Sequence, residues 1–110
     1  MDFALSLCIV VRNAEAALSL TLASLDRQLE CLSELRTEVV VVDGYSTDRS
    51  LQIAAGWAES SCLPVVVLSQ QPQGIYPAMN LAWQQARGEW LLFINAGDVL
   101  LDSRPLPQAL

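Results

Sequence analysis

Glu38-Val39-Val40-Val41-Val42-Asp43-Gly44-Tyr45-Ser46-Thr47-Asp48 changes character twice within eleven residues. The four valines read as a buried strand, because the run is too short and too β-branched to hold as a helix. Asp43-Gly44 stops it. Ser46-Thr47-Asp48 then supplies a cap and a first-turn carboxylate for a helix reaching about Glu59, with Leu51, Ala54, Ala55 and Ala58 expected on its inner face. A strand passing directly into a helix is the repeating unit of an α/β fold, so the flanking sequence decides whether the unit recurs.

It recurs on both sides. Upstream, Leu5 to Val11 reads as a strand, and Leu18, Leu22, Leu25, Leu29 and Leu32 form one stripe of an amphipathic helix. Asn13 stands where that helix's N-cap belongs, and Glu15 favours its positive end. Downstream, Pro64 introduces a strand at Val65-Val66-Val67-Leu68, and Pro72 and Gly74 mark a loop. Pro77 suits the first turn of a third helix, whose apolar side is read as Ala78, Met79, Ala82, Trp83 and Ala86, with Gly88 ending it as the C′ residue. Trp90 to Ile94 is a last strand, expected to be covered on both faces, and it runs into Asn95-Ala96-Gly97-Asp98. The alternation predicts an α/β fold: a three-layer α/β/α domain around a mostly parallel sheet, occupying residues 1–110 as one unit.

Composition narrows the function. The chain is 53% hydrophobic and 16% charged, enough for one core, with apolar surface left over that is compatible with self-association. A formal net charge of −6 argues against nucleic acid as a partner. The absence of histidine removes histidine bases and histidine-type zinc sites. Cys8, Cys31 and Cys62 are odd in number and far apart, which reads as a reducing cytoplasm rather than a disulfide framework. The amino terminus lacks a basic signal-peptide region, and no apolar stretch approaches the ~18 residues that span a bilayer. The expected location is cytoplasmic, including the inner membrane surface.

Three polar groups fall at predicted strand ends: Arg12-Asn13, Asp43-Gly44 and Asn95 to Asp98. In a parallel sheet these ends share the edge where ligands bind. Asp43 reads equally as an acceptor for a base or ribose and as a turn aspartate bonding its own backbone. Asp48 reads as structural, and Trp83 as core. Tyr76, in the loop before Pro77, is placed to stack on a base. There is neither a GxGxxG nor a GxxxxGK[ST] loop, so a divalent metal, Mg²⁺ or Mn²⁺, held by Asp98 is the available counter-charge for phosphates.

Three segments, in order, resemble the motifs of family-2 glycosyltransferases with the GT-A fold. Val39 to Asp48 resembles their VVDGGSTD signature, Gly74-Ile75-Tyr76-Pro77-Ala78-Met79-Asn80 resembles GIYDAMN, and Gly88 to Asp98 resembles the F-L-N-S-G-D form of the metal motif. The combination looks like the colanic-acid type of bacterial polysaccharide glycosyltransferase. The resemblance implies a nucleotide-diphosphate sugar and a divalent metal. It implies that Asp43, with Gly44 beside it, contacts the base, that Asp98 ligates the cation, and that Val10 and Arg12 lie near the base. Met79 and Asn95 fall at positions near the diphosphate. Met79 and Pro77 replace an arginine and an aspartate of many members, and Asn95-Ala96-Gly97-Asp98 carries one carboxylate where D-x-D-D carries three.

Family members are longer, with the acceptor site and catalytic base in their second half, so the match is to an incomplete GT-A domain, its donor-binding half. The implied activity is inverting transfer to a saccharide or lipid-linked acceptor in polysaccharide biosynthesis. No residue of this chain can be named as the catalytic base. The alternative from another class is a non-catalytic nucleotide-sugar-binding or assembly module. A receiver-like regulatory domain is disfavoured, because no acidic pair follows the first strand and the chain contains no lysine.

Overall fold

The computed structural model describes residues 3–71 and 75–95, with the side chains of Cys31, residues 75–79 and Asn95 outside that description. The elements alternate as β1 (Phe3–Val11), α1 (Glu15–Arg27), α2 (Leu29–Glu34), β2 (Thr37–Asp43), α3 (Ser50–Ser60), β3 (Val65–Ser69), α4 (Ile75–Gln85) and β4 (Gly88–Asn95). The four strands make one sheet in the order β3-β2-β1-β4, and every pairing is parallel. Successive strands step outward from β1 to β3, and then β4 returns to the other side of β1. That reversal is a topological switch point.

The period of two along each strand sorts the core into two layers. Leu5, Leu7, Ile9 and Val11 of β1, Val39 and Val41 of β2 and Ile94 of β4 pack with Leu18, Leu22, Leu25, Leu32 and Ala54 from α1, α2 and α3. Cys8, Val40 and Val42 face the opposite way, onto Ala82 of α4. The expected three-layer α/β/α architecture is therefore present.

Five details differ from the sequence reading. The leucine stripe is one continuous face but two helices: Gln28, the C-cap of α1, donates from its N–H to the carbonyls of Asp26 and Leu25, and α2 begins at Leu29. The inner face of α3 is Ser50, Ile53, Ala54 and Trp57, a helical i, i+3, i+4, i+7 set. Ala55 faces solvent. Trp57 is also held on α1 by its indole N–H, which donates to Asp26 Oδ1 at 3.0 Å. Trp83 is 63% exposed, because small residues bring α4 onto the sheet through Ala82.

The strand expected to be covered on both faces is at the sheet's edge among the described residues, with Trp90 64% exposed. Gly88 opens β4 rather than closing α4. A Cβ there would stand 2.6 Å from Ser6 Oγ, 2.7 Å from Ser6 N and 2.8 Å from Leu5 C, so glycine is required by close backbone approach.

Beside Gly88, a buried polar network joins three strands at the amino edge of the sheet. Glu38 is 1% exposed. Its Oε2 accepts from Ser6 Oγ and from the Arg87 N–H, each at 2.5 Å. Ser6 Oγ in turn accepts from the Gly88 N–H at 2.8 Å. The Arg87 guanidinium, 3.6 Å from Glu38 Oε1, lies over the Phe3 ring at 4.9 Å. Ser6 and Glu38 are partners in register, so the network pins the start of β4 to the β1–β2 pair.

Candidate functional site

The carboxyl ends of β1, β2 and β4 lie together. In register, Val10 stands beside Val42 on one side and Asn95 on the other, and Val11 stands beside Asp43. Three segments separated by tens of residues thus converge on the edge where the switch point opens a crevice. Val10 is partly buried against the small core layer, Arg12 is exposed, and Gly44 donates from its N–H to the Val11 carbonyl at 2.9 Å. The Arg12 stem runs alongside Gly44, with Cδ 3.4 Å from where a Cβ on residue 44 would stand.

The loops after β1 and β2 are strapped to each other. Asn13 adopts a left-handed φ of 48°. Its Oδ1 accepts from the Thr47 N–H at 2.7 Å and the Asp48 N–H at 3.4 Å, while its own N–H donates to Ser46 Oγ at 2.9 Å. Asn13 therefore does not cap α1, whose N-cap is Ala14 with no side-chain cap bond of its own. The first N–H groups of α1 are satisfied from the other loop instead. Ser50 Oγ accepts from Ala14 N at 3.2 Å, and Asp48 Oδ2 accepts from Glu15 N at 3.2 Å. Asp48 Oδ1 takes the Ser50 N–H at 2.9 Å, so one carboxylate serves the starts of α1 and α3 together.

Hydrogen bonds from the Ser50 side chain, then its backbone, hold the Asp48 carboxyl below its ordinary value of 3.8. A depressed folded-state pKa contributes stability that is fully present above the ordinary value and lost as pH falls through the depressed one. Acidification below about pH 4 is expected to destabilise the wild type through this residue. Asp48→Asn should flatten that part of the curve of melting temperature against pH.

Asp43 is wholly buried, and both its oxygens are taken by Ser46: Oδ2 accepts from the Ser46 N–H at 2.9 Å and Oδ1 from its hydroxyl at 2.6 Å. The turn bonding expected of one sequence reading is therefore present. Asp43 fixes the loop that presents Gly44 and Tyr45.

Residues 6–109 match the profile of Glycosyl transferase family 2. The chain belongs to this family. It is 38% identical over 101 residues to a PGL/p-HBAD biosynthesis glycosyltransferase of Mycobacterium bovis, covering 92% of this chain and 38% of that protein. It is 35% identical over 95 residues to the poly(ribitol-phosphate) β-N-acetylglucosaminyltransferase TarS of Staphylococcus aureus, covering 86% of this chain and 16% of TarS. The chain thus spans well under half the length of these relatives. Among solved structures, S. aureus TarS 1–349 in complex with UDP-GlcNAc superposes with a TM-score of 0.76 at 33% identity, over 92% of this chain and 28% of that one. A mannosyltransferase from Pyrobaculum calidifontis, in complex with GDP-Man and Mn²⁺, gives a TM-score of 0.76 at 24% identity, over 86% and 28%, which speaks to the fold alone. The fold of this family-2 domain is accordingly GT-A.

The remaining sequence-predicted positions divide unevenly. Asn95 closes β4 beside Val10, and Met79 lies within α4. Asp98 and the loop residues from Pro72 to Gly74 lie outside the described residues, as does the side chain of Tyr76. Among the described residues no group of three or more acidic, cysteine or histidine side chains could hold a metal ion. Cys8 offers no alternative chemistry: burial first, then the Glu38 charge, pushes its thiol up to about 11, leaving it protonated at neutral pH. No helix among the described residues is long and apolar enough to cross a membrane.

Sequence reasoning placed Asn13 at the edge but read it, like Ser46, as a local cap, and passed over Ser50; the visible signal was only that two cap-rich loops follow neighbouring strands.

Proposed function

We propose that residues 1–110 form the donor-binding half of an inverting GT-A glycosyltransferase that takes a nucleotide-diphosphate sugar with a divalent metal. The observation that carries this is the switch point between β1 and β4, which sets the ends of both strands at one crevice beside the strapped β2 loop. Val10, Arg12 and Gly44 would flank the nucleoside, Met79 and Asn95 the diphosphate side, and Asp98 the cation (Mn²⁺ or Mg²⁺). TarS, a relative of known structure, is described in complexes with UDP and UDP-GlcNAc, which supports a nucleotide-sugar ligand here.

In the complete reaction an acceptor hydroxyl forms a bond to the anomeric carbon as the bond to the diphosphate breaks. Its proton passes to a carboxylate base that none of the described residues is assigned to be. The cation, when bound, supplies Lewis-acid stabilisation to the diphosphate. The contribution of this chain is to bind and orient the donor. A saccharide or lipid-linked acceptor, polysaccharide biosynthesis of the colanic-acid type, a cytoplasmic location extending to the inner membrane face, and self-association through apolar surface around Trp83, Trp90 and Phe93 belong to the same proposal. A non-catalytic binding module shares every step except transfer.

The test is calorimetric titration of the 110-residue chain with UDP, GDP, ADP and dTDP, with and without Mn²⁺. Binding of at least one of them, strengthened by Mn²⁺, is expected, and Asp98→Ala should abolish the metal-dependent gain. Failure of all four nucleotides to bind overturns the donor-binding reading. An Asp98→Ala variant with undiminished metal dependence removes Asp98 from its role.

A further inference from the structure

We propose that the Tyr45 ring is the platform on which the base of the nucleotide stacks, an inference that rests on the donor-binding reading above. Tyr45 has a φ of 53°, in the left-handed region that favours glycine and that bulky side chains rarely enter. Large aromatic rings are usually buried, yet Tyr45 is 53% exposed. A strained and solvated ring is retained only where its surroundings over-determine the backbone.

Those surroundings are explicit. Before Tyr45, the Gly44 N–H is bound to the Val11 carbonyl and the Asp43 carbonyl accepts from Gln70 N at 2.9 Å. After it, Ser46 is held on one side by Asp43 and on the other by Asn13. With both neighbours fixed, residue 45 has no freedom to relax, and the β1–α1 and β2–α3 loops together hold its backbone at the carboxyl edge of the sheet.

Among the described residues the alternatives at this edge are few. Asp43 is sequestered, Asn13 is spent on the strap, and Arg12 lies along Gly44 as the neighbouring exposed cation. An exposed aromatic ring on the loop at the carboxyl edge of the sheet suits a planar heterocycle that stacks. Stacking tolerates any base, so this platform supplies affinity for a nucleoside without choosing among nucleosides.

The experiment compares Tyr45→Asn and Tyr45→Phe with the wild type, using UDP and inorganic pyrophosphate as probes in the presence of Mn²⁺. Asparagine tolerates the left-handed conformation, so Tyr45→Asn should melt no lower than the wild type while its UDP affinity falls about tenfold. Tyr45→Phe should keep its UDP affinity, and pyrophosphate binding should be unchanged in both variants. Undiminished UDP binding by Tyr45→Asn overturns the platform while leaving donor binding intact. Equal losses for UDP and pyrophosphate also overturn it, because they would show a general disturbance of the edge. A wild type that binds no nucleotide overturns both readings.

Discussion

Glu38→Ala is expected to lower the unfolding free energy by about 2–3 kcal/mol, because it strips the acceptor from one buried and one part-buried donor at once, a buried orphan costing about 1–3 kcal/mol. The donors are Ser6 Oγ and the Arg87 N–H, and both converge on the same oxygen, Glu38 Oε2. That convergence makes a sharper comparison available. One amide oxygen can accept both bonds, so Glu38→Gln should cost only about 1 kcal/mol, the charge-assisted part of the interaction. Urea unfolding of the two variants checks this. Equal losses would mean that the carboxylate's charge, rather than its position as an acceptor, holds the start of β4. No loss in either would mean that the contact with Gly88 at the adjoining backbone suffices.

Asp43→Ala is the second large effect. It removes both acceptors from Ser46, and the loss of stability should reach about 2–3 kcal/mol. The more telling result is where the loss appears. The Ser46 hydroxyl also accepts the Asn13 N–H, so the strap should loosen with it, and the Thr47 and Asp48 amides should exchange faster with solvent. Nucleotide affinity should fall in parallel. Asp43→Asn should recover part of the stability, since the amide oxygen can still accept the Ser46 N–H. If Asp43 acts only by meeting the base, the alanine variant keeps its melting temperature and its slow-exchanging loop amides while losing affinity alone. Melting temperature and hydrogen exchange measured on one preparation separate the two.

These two residues also mark where sequence reading succeeds and where it stops. The four valines after Glu38 could only be a strand, and their neighbours in pattern, Leu5 to Val11 and Val65 to Leu68, followed by the same logic. Periodicity carries that information because burial of each face is a local property of the chain. The parallel order, and with it the crevice at the switch point, follows from the alternation of elements. The orientation of α3 was less legible: Ala55 and Ala58 are as apolar as Ala54, and only the packing of Trp57 against α1 decides which side turns inward. The strap was not legible at all. Asn13 and Ser46 are 33 residues apart, and each has an equally good local partner on paper. Likewise, nothing in the order of residues distinguishes a Gly88 that ends a helix from one that admits the backbone of Ser6.

The strand order has a consequence for synthesis of the chain. β1 is central in the sheet, yet it is made before either of its neighbours, and its partner across Phe3 is Gly88. At roughly 5–20 residues per second, the segment Phe3 to Val11 spends several seconds on the ribosome or in its exit path before β4 exists to pair with it. Throughout that interval it is a nine-residue apolar stretch without a single charge, prone to pair with another nascent chain. Asp2 and Arg12 flank it as charged residues, and their like charges oppose parallel in-register stacking. Arg12, one of these flanking charges, also lines the edge where the nucleotide is proposed to sit.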